Sequence, residues 1–315
     1  MDLDRTIPSE TLDQMVEIVR PGTTVREASL VESGHLTVYH LVVDTDGTPN
    51  RWVLKASPDG ESHGIDTEAR LLSIVAGRTS IPVPAVVGAV DEHDRLPAPY
   101  LVMEALEGEA VPKRTIGDLP DALLERVSRE SGRYLADLHS LSGPSGFGFV
   151  DIDPGGPPAG ERPSDSLESV TVTALDERTP ADDADWPTVL RNWIDSALAR
   201  HESTRFGDLT DEIRPTLLEP VESMAGPFEP VLGRIDHGLH NVLLDAETNE
   251  ITGVIDWAFT LSVPVAYDLV CVEANLSLDP WSVYPDTPNR RQLVGRCLRE
   301  GYRAASETAG DDVLD

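Results

Sequence analysis

The sequence predicts an α+β fold of two lobes: a small N-terminal lobe built on an antiparallel sheet, residues 1–106, and a larger, mainly helical C-terminal lobe, residues 107–315. Three observations predict it. Strand-like runs joined by short turns crowd the first third of the chain. Amphipathic helical patterns dominate after residue 120. A chain of 315 residues, 40% of them hydrophobic, is long and apolar enough to bury cores in both halves.

Residues 1–22 read as a helix ending before Pro21-Gly22. The runs Val25–Ser33 and Leu36–Asp44 flank Gly34-His35 and read as paired strands. A turn over Asp46–Asn50 leads into a third strand, Arg51–Ala56. Residues 66–76 read as a helix, with Asp66 as N-cap and Gly77 just past its end. After the Pro82/Pro84 link come strands at Val86–Asp91 and Tyr100–Glu104.

Residues 121–141 place Leu124, Val127, Leu135 and Leu138 on one helical stripe. Residues 143–185 are rich in Gly, Pro, Asp and Ser. They read as a long loop or lid insertion with one short strand. Helices are expected at 186–202 and 211–224, a strand and hairpin across 231–256, and closing helices at 265–276 and 288–306.

Asp and Glu number 56 against 25 Lys and Arg, a net charge of −31. A phosphate backbone needs a positive footprint, so nucleic acid is not an expected partner. The carboxylates are spread over the whole chain, and only Lys55 and Lys113 are lysines. This pattern resembles proteins of salt-loving organisms, where salt screens the self-repulsion. No run of 18 apolar residues exists, so no membrane span is expected. The acidic start Met1–Arg5 has no apolar core, so no signal peptide is expected. Cys271 and Cys297 form no disulfide framework, and a cytoplasmic location follows as the expectation. Nucleophile-elbow, Walker A and dinucleotide-binding glycine motifs do not occur in the sequence.

The chemistry-bearing stretch is Arg234-Ile235-Asp236-His237-Gly238-Leu239-His240-Asn241, followed by Val242–Asp245 and then by Gly253-Val254-Ile255-Asp256-Trp257. Two short apolar runs around a polar turn predict a hairpin with polar groups at its open end. That places Asn241 near Asp256, an amide and a carboxylate of the oxygen-donor type that Mg²⁺ takes. Asp236 beside them is placed to accept a proton.

This stretch resembles the catalytic loop and metal-binding Asp of kinases. Locally it is similar to the aminoglycoside phosphotransferase and choline-kinase-like family of small-molecule kinases. The pattern there is H-G-D-L-H-P-x-N-x-L, then I-D-W and D-L-A. Asp236, Asn241, Asp256-Trp257 and Asp268-Leu269 match it. The resemblance implies a protein-kinase-like fold, transfer of the γ-phosphate of ATP or GTP to a hydroxyl of a small acceptor, and Mg²⁺. It makes Asp236 the base, Asn241 and Asp256 the metal ligands, and Asp268 a brace of the catalytic loop. Arg234 stands where the family has histidine; its permanent charge and several donors suit it to orienting the loop. A nucleotide-binding pseudokinase with a regulatory role is the alternative. A zinc site on His237 and His240 is a third reading.

In the N-terminal lobe Lys55 ends the apolar run Trp52–Leu54 and looks like the kinase lysine that holds the phosphates. Glu68 shares a helical stripe with Leu71, Leu72 and Val75, so it faces the core and needs a cation. Lys55 is its candidate partner. Ser33-Gly34 would form the phosphate-covering turn. Met103-Glu104-Ala105-Leu106 resembles the hinge that docks the nucleotide base, although an ordinary apolar strand fits the same residues.

Overall fold

The computed structural model describes residues 6–31, 36–112, 118–141, 144–152, 170–173, 184–277 and 288–306. The Ser33-Gly34 turn lies outside the described residues, as does most of the 143–185 segment.

Helix α1 (Ser9–Val19) leads into strands β1 (Thr23–Leu30), β2 (Thr37–Thr45) and β3 (Thr48–Ala56). Helix α2 (Ile65–Arg78) precedes β4 (Val86–Val90) and β5 (Tyr100–Glu104). The five strands form one antiparallel sheet in the order β1-β2-β3-β5-β4. Alternation in β2 buries Tyr39, Leu41 and Val43 on one face. There they meet Leu12, Met15 and Val16 of α1 in a first core.

The β2–β3 connection is shorter than the five residues of the expected turn: Thr45 pairs directly with Thr48, leaving Asp46-Gly47 as the loop. Both loop residues have positive φ (54° and 80°), the geometry that matches the twist of the flanking strands. The N-cap of α2 is Gly64 rather than Asp66, which sits in the first turn, and the helix runs through Gly77 to Arg78.

The rest of the chain comprises β6 (Glu109–Ala110), α3 (Asp121–His139), β7 (Gly148–Ile152), β8 (Val170–Thr173), α4 (Trp186–Glu202), α5 (Thr210–Glu222), β9 (Pro230–Gly233), β10 (Val242–Leu244), β11 (Ile251–Val254), β12 (Leu261–Pro264), α6 (Val265–Ser277) and α7 (Arg291–Ala305). Among the described residues of 143–185 there are two strands where one was expected, β7 and β8, paired in a four-stranded sheet with β12 and β9. The hairpin β10–β11 carries β6 on its outer edge.

A second core joins the halves. Leu71, Leu72 and Val75 of α2 and Leu101 of β5 pack in the same cluster as Leu135 and Leu138 of α3, Val242 and Val254 of the hairpin, and Leu298 of α7. Burying a large apolar side chain contributes about 1.5–3 kcal/mol. This shared core therefore fixes α2 and β3 against the hairpin that carries the polar residues. Among the described residues, no helix is long and apolar enough to cross a membrane.

Candidate active site

Three elements converge at the junction of the two halves: the end of β3, the start of α2, and the loop–hairpin segment 234–257. Lys55 lies in β3, its side chain 10% exposed, and Glu68 in the first turns of α2, 1% exposed. The lysine Nζ donates to Glu68 Oε1 at 2.7 Å and Oε2 at 2.9 Å, and to Asp256 Oδ1 at 3.0 Å. Glu68 Oε1 also accepts the Trp257 N–H at 2.9 Å. One buried carboxylate thus ties the lysine to the backbone just past Asp256.

Burial by itself depresses the Lys55 ammonium, but Glu68 and Asp256 more than offset this, and it is held above its ordinary value. Burial raises the Asp256 carboxyl, and Lys55, with Arg234 beyond it, outweighs that and holds it below the usual carboxylate range. Both groups are charged at neutral pH. Asp256 has φ +65°, a left-handed backbone that Asp tolerates better than most residues. The close approach of α2 depends on Gly64: a Cβ there would lie 2.4 Å from the Ala258 carbonyl oxygen, and its φ is +78°.

The loop from Arg234 to Asn241 folds back on itself. Its internal bonds are His237 N–H to Arg234 O, 3.0 Å, and Asn241 N–H to Gly238 O, 2.9 Å. Asn241 Nδ2 donates to Asp236 Oδ2 at 3.1 Å and to the Asp236 carbonyl at 3.0 Å. Both partners are acceptors, so the amide orientation follows from them, and the amide oxygen is left to ligate. The Asn241 carbonyl accepts the Ile255 N–H at 2.9 Å, which brings Asn241 beside Asp256 across the hairpin mouth. An amide oxygen and an ionised carboxylate are hard donors that fit Mg²⁺.

Helix α6 holds this loop from behind. Asp268, fully buried, accepts the Arg234 N–H at Oδ1, 2.8 Å, and faces His139 Nε2 at Oδ2, 2.9 Å. His139 Nδ1 lies 3.0 Å from the Tyr302 hydroxyl. Seven residues along the same helix, Asn275 Nδ2 donates to the Ile235 carbonyl at 2.7 Å. Sequence reasoning missed Asn275. The available signal was its i+7 spacing from Asp268, which returns a side chain to the same helix face.

Arg234 is 1% exposed. Its Nη2 donates to the Ile255 carbonyl at 2.5 Å, and its guanidinium carbon lies 4.8 Å from the centre of the Trp257 ring. Burial weighs against its charge, while Asp256, Asp236, Glu68 and Asp268 oppose that effect. An arginine remains charged throughout. Through Nη2 it ties the loop in which it sits to the backbone just before Asp256.

His237 and His240 serve different partners. His237 is buried with Nε2 2.8 Å from Ser131 Oγ, and burial, then Arg234, push its pKa down to about 3. His240 Nε2 lies 3.3 Å from Asp236 Oδ1. Among the described residues, no group of three His, Cys, Asp or Glu side chains converges on a metal-sized site.

Met103 and Glu104 end β5, paired with Val53 and Trp52. The Glu104 N–H donates to Ala85 O and the Ala105 N–H to Arg51 O, so both donors are committed to the sheet. Leu106 packs against Gly253 of β11: a Cβ added at Gly253 would meet Leu106 Cδ1 at 2.6 Å.

The model of the phosphotransferase enzyme family matches residues 27–307. Comparison with curated proteins finds no match in sequence. Among solved structures, the chain is similar to a candidate aminoglycoside phosphotransferase from Ralstonia eutropha, with 14% identity, 98% of this chain and 84% of that one covered, and a TM-score of 0.60. It is similar to the GDP and kanamycin complex of APH(2")-IIia, with 14% identity, coverage of 96% and 84%, and a TM-score of 0.57. The streptomycin–ATP ternary complex of APH(2")-IIa gives 16% identity, coverage of 98% and 85%, and a TM-score of 0.56. These likenesses establish the kinase-like aminoglycoside phosphotransferase fold.

Proposed function

The chain belongs to the phosphotransferase enzyme family, and from that premise we propose that it is a small-molecule kinase, transferring the γ-phosphate of ATP or GTP to a hydroxyl of a small metabolite or aminoglycoside-like acceptor. The observation that carries the reading is Lys55 Nζ held between Glu68 (2.7 Å) and Asp256 (3.0 Å). A buried lysine so fixed presents a permanent positive charge at the junction of the lobes, where phosphates need one.

In this reading residues 1–106 hold the nucleotide and 107–315 supply the catalytic loop and the acceptor site. Lys55 holds phosphate oxygens and Glu68 orients it. The base docks beside Met103–Leu106, using donors other than the committed Glu104 and Ala105 N–H groups. Ser33-Gly34 covers the phosphates. Asn241 and Asp256 would hold Mg²⁺, which when bound neutralises phosphate charge. Asp236, its plane fixed by Asn241, aligns the acceptor hydroxyl. As the acceptor oxygen bonds to the γ-phosphorus and the bond to the leaving nucleoside diphosphate breaks, the hydroxyl proton passes to Asp236. Asp268 and Arg234 keep that loop in register. Alignment and charge neutralisation supply most of the acceleration.

The acceptor class draws on relatives of the same fold crystallised with kanamycin and streptomycin. Fold alone does not fix a substrate, and other hydroxylated amines suit the same chemistry.

A thermal-shift titration with ATP and GTP, with and without Mg²⁺ and in molar KCl, tests the nucleotide site on wild type and Asp256→Asn. A magnesium-dependent shift that the variant loses supports the reading. A folded protein with no shift for either nucleotide sinks it. Phosphate transfer across an acceptor panel then separates the kinase from a pseudokinase.

A further inference from the structure

We propose that His240 is a positioning residue for Asp236, completing a clamp on the carboxylate that the reaction uses as base; this rests on the kinase reading above. A carboxylate that aligns a hydroxyl must hold its plane, and contacts at both of its oxygens restrain rotation about its side-chain torsion. Asn241 Nδ2 fixes Oδ2 at 3.1 Å. The other oxygen, Oδ1, faces His240 Nε2 at 3.3 Å. Residues 236 and 240 are brought together by the fold-back of the loop, sealed by the Asn241 N–H to Gly238 O bond.

The ring has a built seat. A Cβ on Gly238 would lie 2.7 Å from both Cε1 and Nδ1 of His240, so the imidazole lies flush against the bare Gly238 backbone, and a side chain there would displace the ring. Behind Gly238 stands Asn275, whose side-chain Cβ lies 3.4 Å from the same position and whose amide holds Ile235. The His240 side chain is 20% exposed and that of Asp236 44%, so the pair sits at the wall of the site with Asp236 turned to the opening. His237 is excluded from the role because its ring faces inward to Ser131. At 3.3 Å the pair is within ion-pair distance, but the ring N–H is not aligned on Oδ1 as a hydrogen bond requires; catalytic contacts of this kind align and tighten when the reacting complex forms. For the clamp to work, Nε2 must carry the ring proton and donate to Oδ1.

Two measurements on the full chain test this. The first is the nitrogen–proton correlation spectrum of ¹⁵N-histidine-labelled protein with MgATP, the His240 signal being assigned with His240→Gln. The expected result is the tautomer protonated at Nε2, with a signal that moves in Asp236→Asn; the tautomer protonated at Nδ1 alone overturns the proposal. The second compares wild type, His240→Ala and His240→Gln in MgATP hydrolysis, with water as the acceptor. His240→Ala should lower kcat about tenfold with little change in nucleotide KM, the range of a lost positioning contact, and Gln, which keeps a donor, should recover most of it. Equal kcat in wild type and His240→Ala, or a loss that Gln does not repair and that raises KM, overturns it. A wild type that shows no nucleotide-dependent melting shift fails the kinase reading itself. A wild type that shifts but shows the Nδ1 tautomer fails only the clamp.

Discussion

Lys55 and Asp256 are 201 positions apart in the chain, and the lysine Nζ lies 3.0 Å from the aspartate Oδ1. The contact closes a triangle, because the same Nζ binds both oxygens of Glu68 and Glu68 Oε1 binds the N–H of Trp257. The sheet, helix α2 and the hairpin therefore meet through one ammonium and two carboxylates.

Removing the ammonium leaves Glu68 charged and buried. Lys55→Ala is expected to cost about 3–5 kcal/mol of folding stability, the penalty of breaking a buried ion pair from one side. Glu68→Gln keeps an acceptor for Trp257 N–H and should cost less. Equilibrium urea unfolding of the two variants checks the order; equal losses would mean that the charge of Glu68 is not what the site must neutralise.

The same triangle sets a pH dependence. Asp256 titrates below its ordinary value of 3.8 in the folded chain. The stability it contributes is fully present above that value and is lost as pH falls through the lower folded one. Lys55 titrates above its ordinary 10.5, so its share is present below that value and is lost as pH rises through the higher folded one. Acid unfolding of Asp256→Asn should therefore show a weaker dependence on pH below 3.8 than wild type does. Matching acid profiles would remove Asp256 from the account.

Arg234→Ala removes a charged hydrogen bond to Ile255 and the stack on Trp257 together, about 2–4 kcal/mol in all. Arg234→Lys should recover little of it, because an ammonium cannot both lie over the ring and reach the carbonyl in the same plane. Arg234→His restores the residue of the resembling family without the length to reach Ile255. Thermal unfolding of the three variants, with Trp257 fluorescence as the local probe, ranks them; a fully stable Arg234→Ala would make the contact incidental.

What the sequence made legible follows from charge in apolar surroundings. Lys55 stood out because the chain has two lysines and this one ends a strand, and Glu68 because it shared a stripe with leucines. The loop and hairpin were legible from the spacing of Asp236, Asn241 and Asp256, which lie within 21 residues of one another. Contacts between distant segments left no such trace. His139 reaches Asp268 across 129 positions, and nothing in the sequence around either residue points to the other. Strand β8 pairs with β7 across a polar stretch whose composition reads as loop. The N-cap of α2 moved from Asp66 to Gly64 because a tertiary approach, to Ala258, decided it in place of local propensity.

Gly64→Ala asks a residue with a side chain to hold φ +78° with its Cβ 2.4 Å from the Ala258 carbonyl oxygen. The left-handed backbone alone costs about 1–2 kcal/mol. The overlap is with backbone, so relief requires α2 to back away from residues 256–258. Glu68 rides on α2, and its bond to the Trp257 N–H lengthens with that movement. Gly64→Ala should therefore lose more stability than the backbone term alone and weaken magnesium–nucleotide binding as well. Urea unfolding and a nucleotide titration of the same variant check both. A stability loss with unchanged nucleotide affinity would show that α2 can shift without disturbing the Lys55–Glu68–Asp256 triangle.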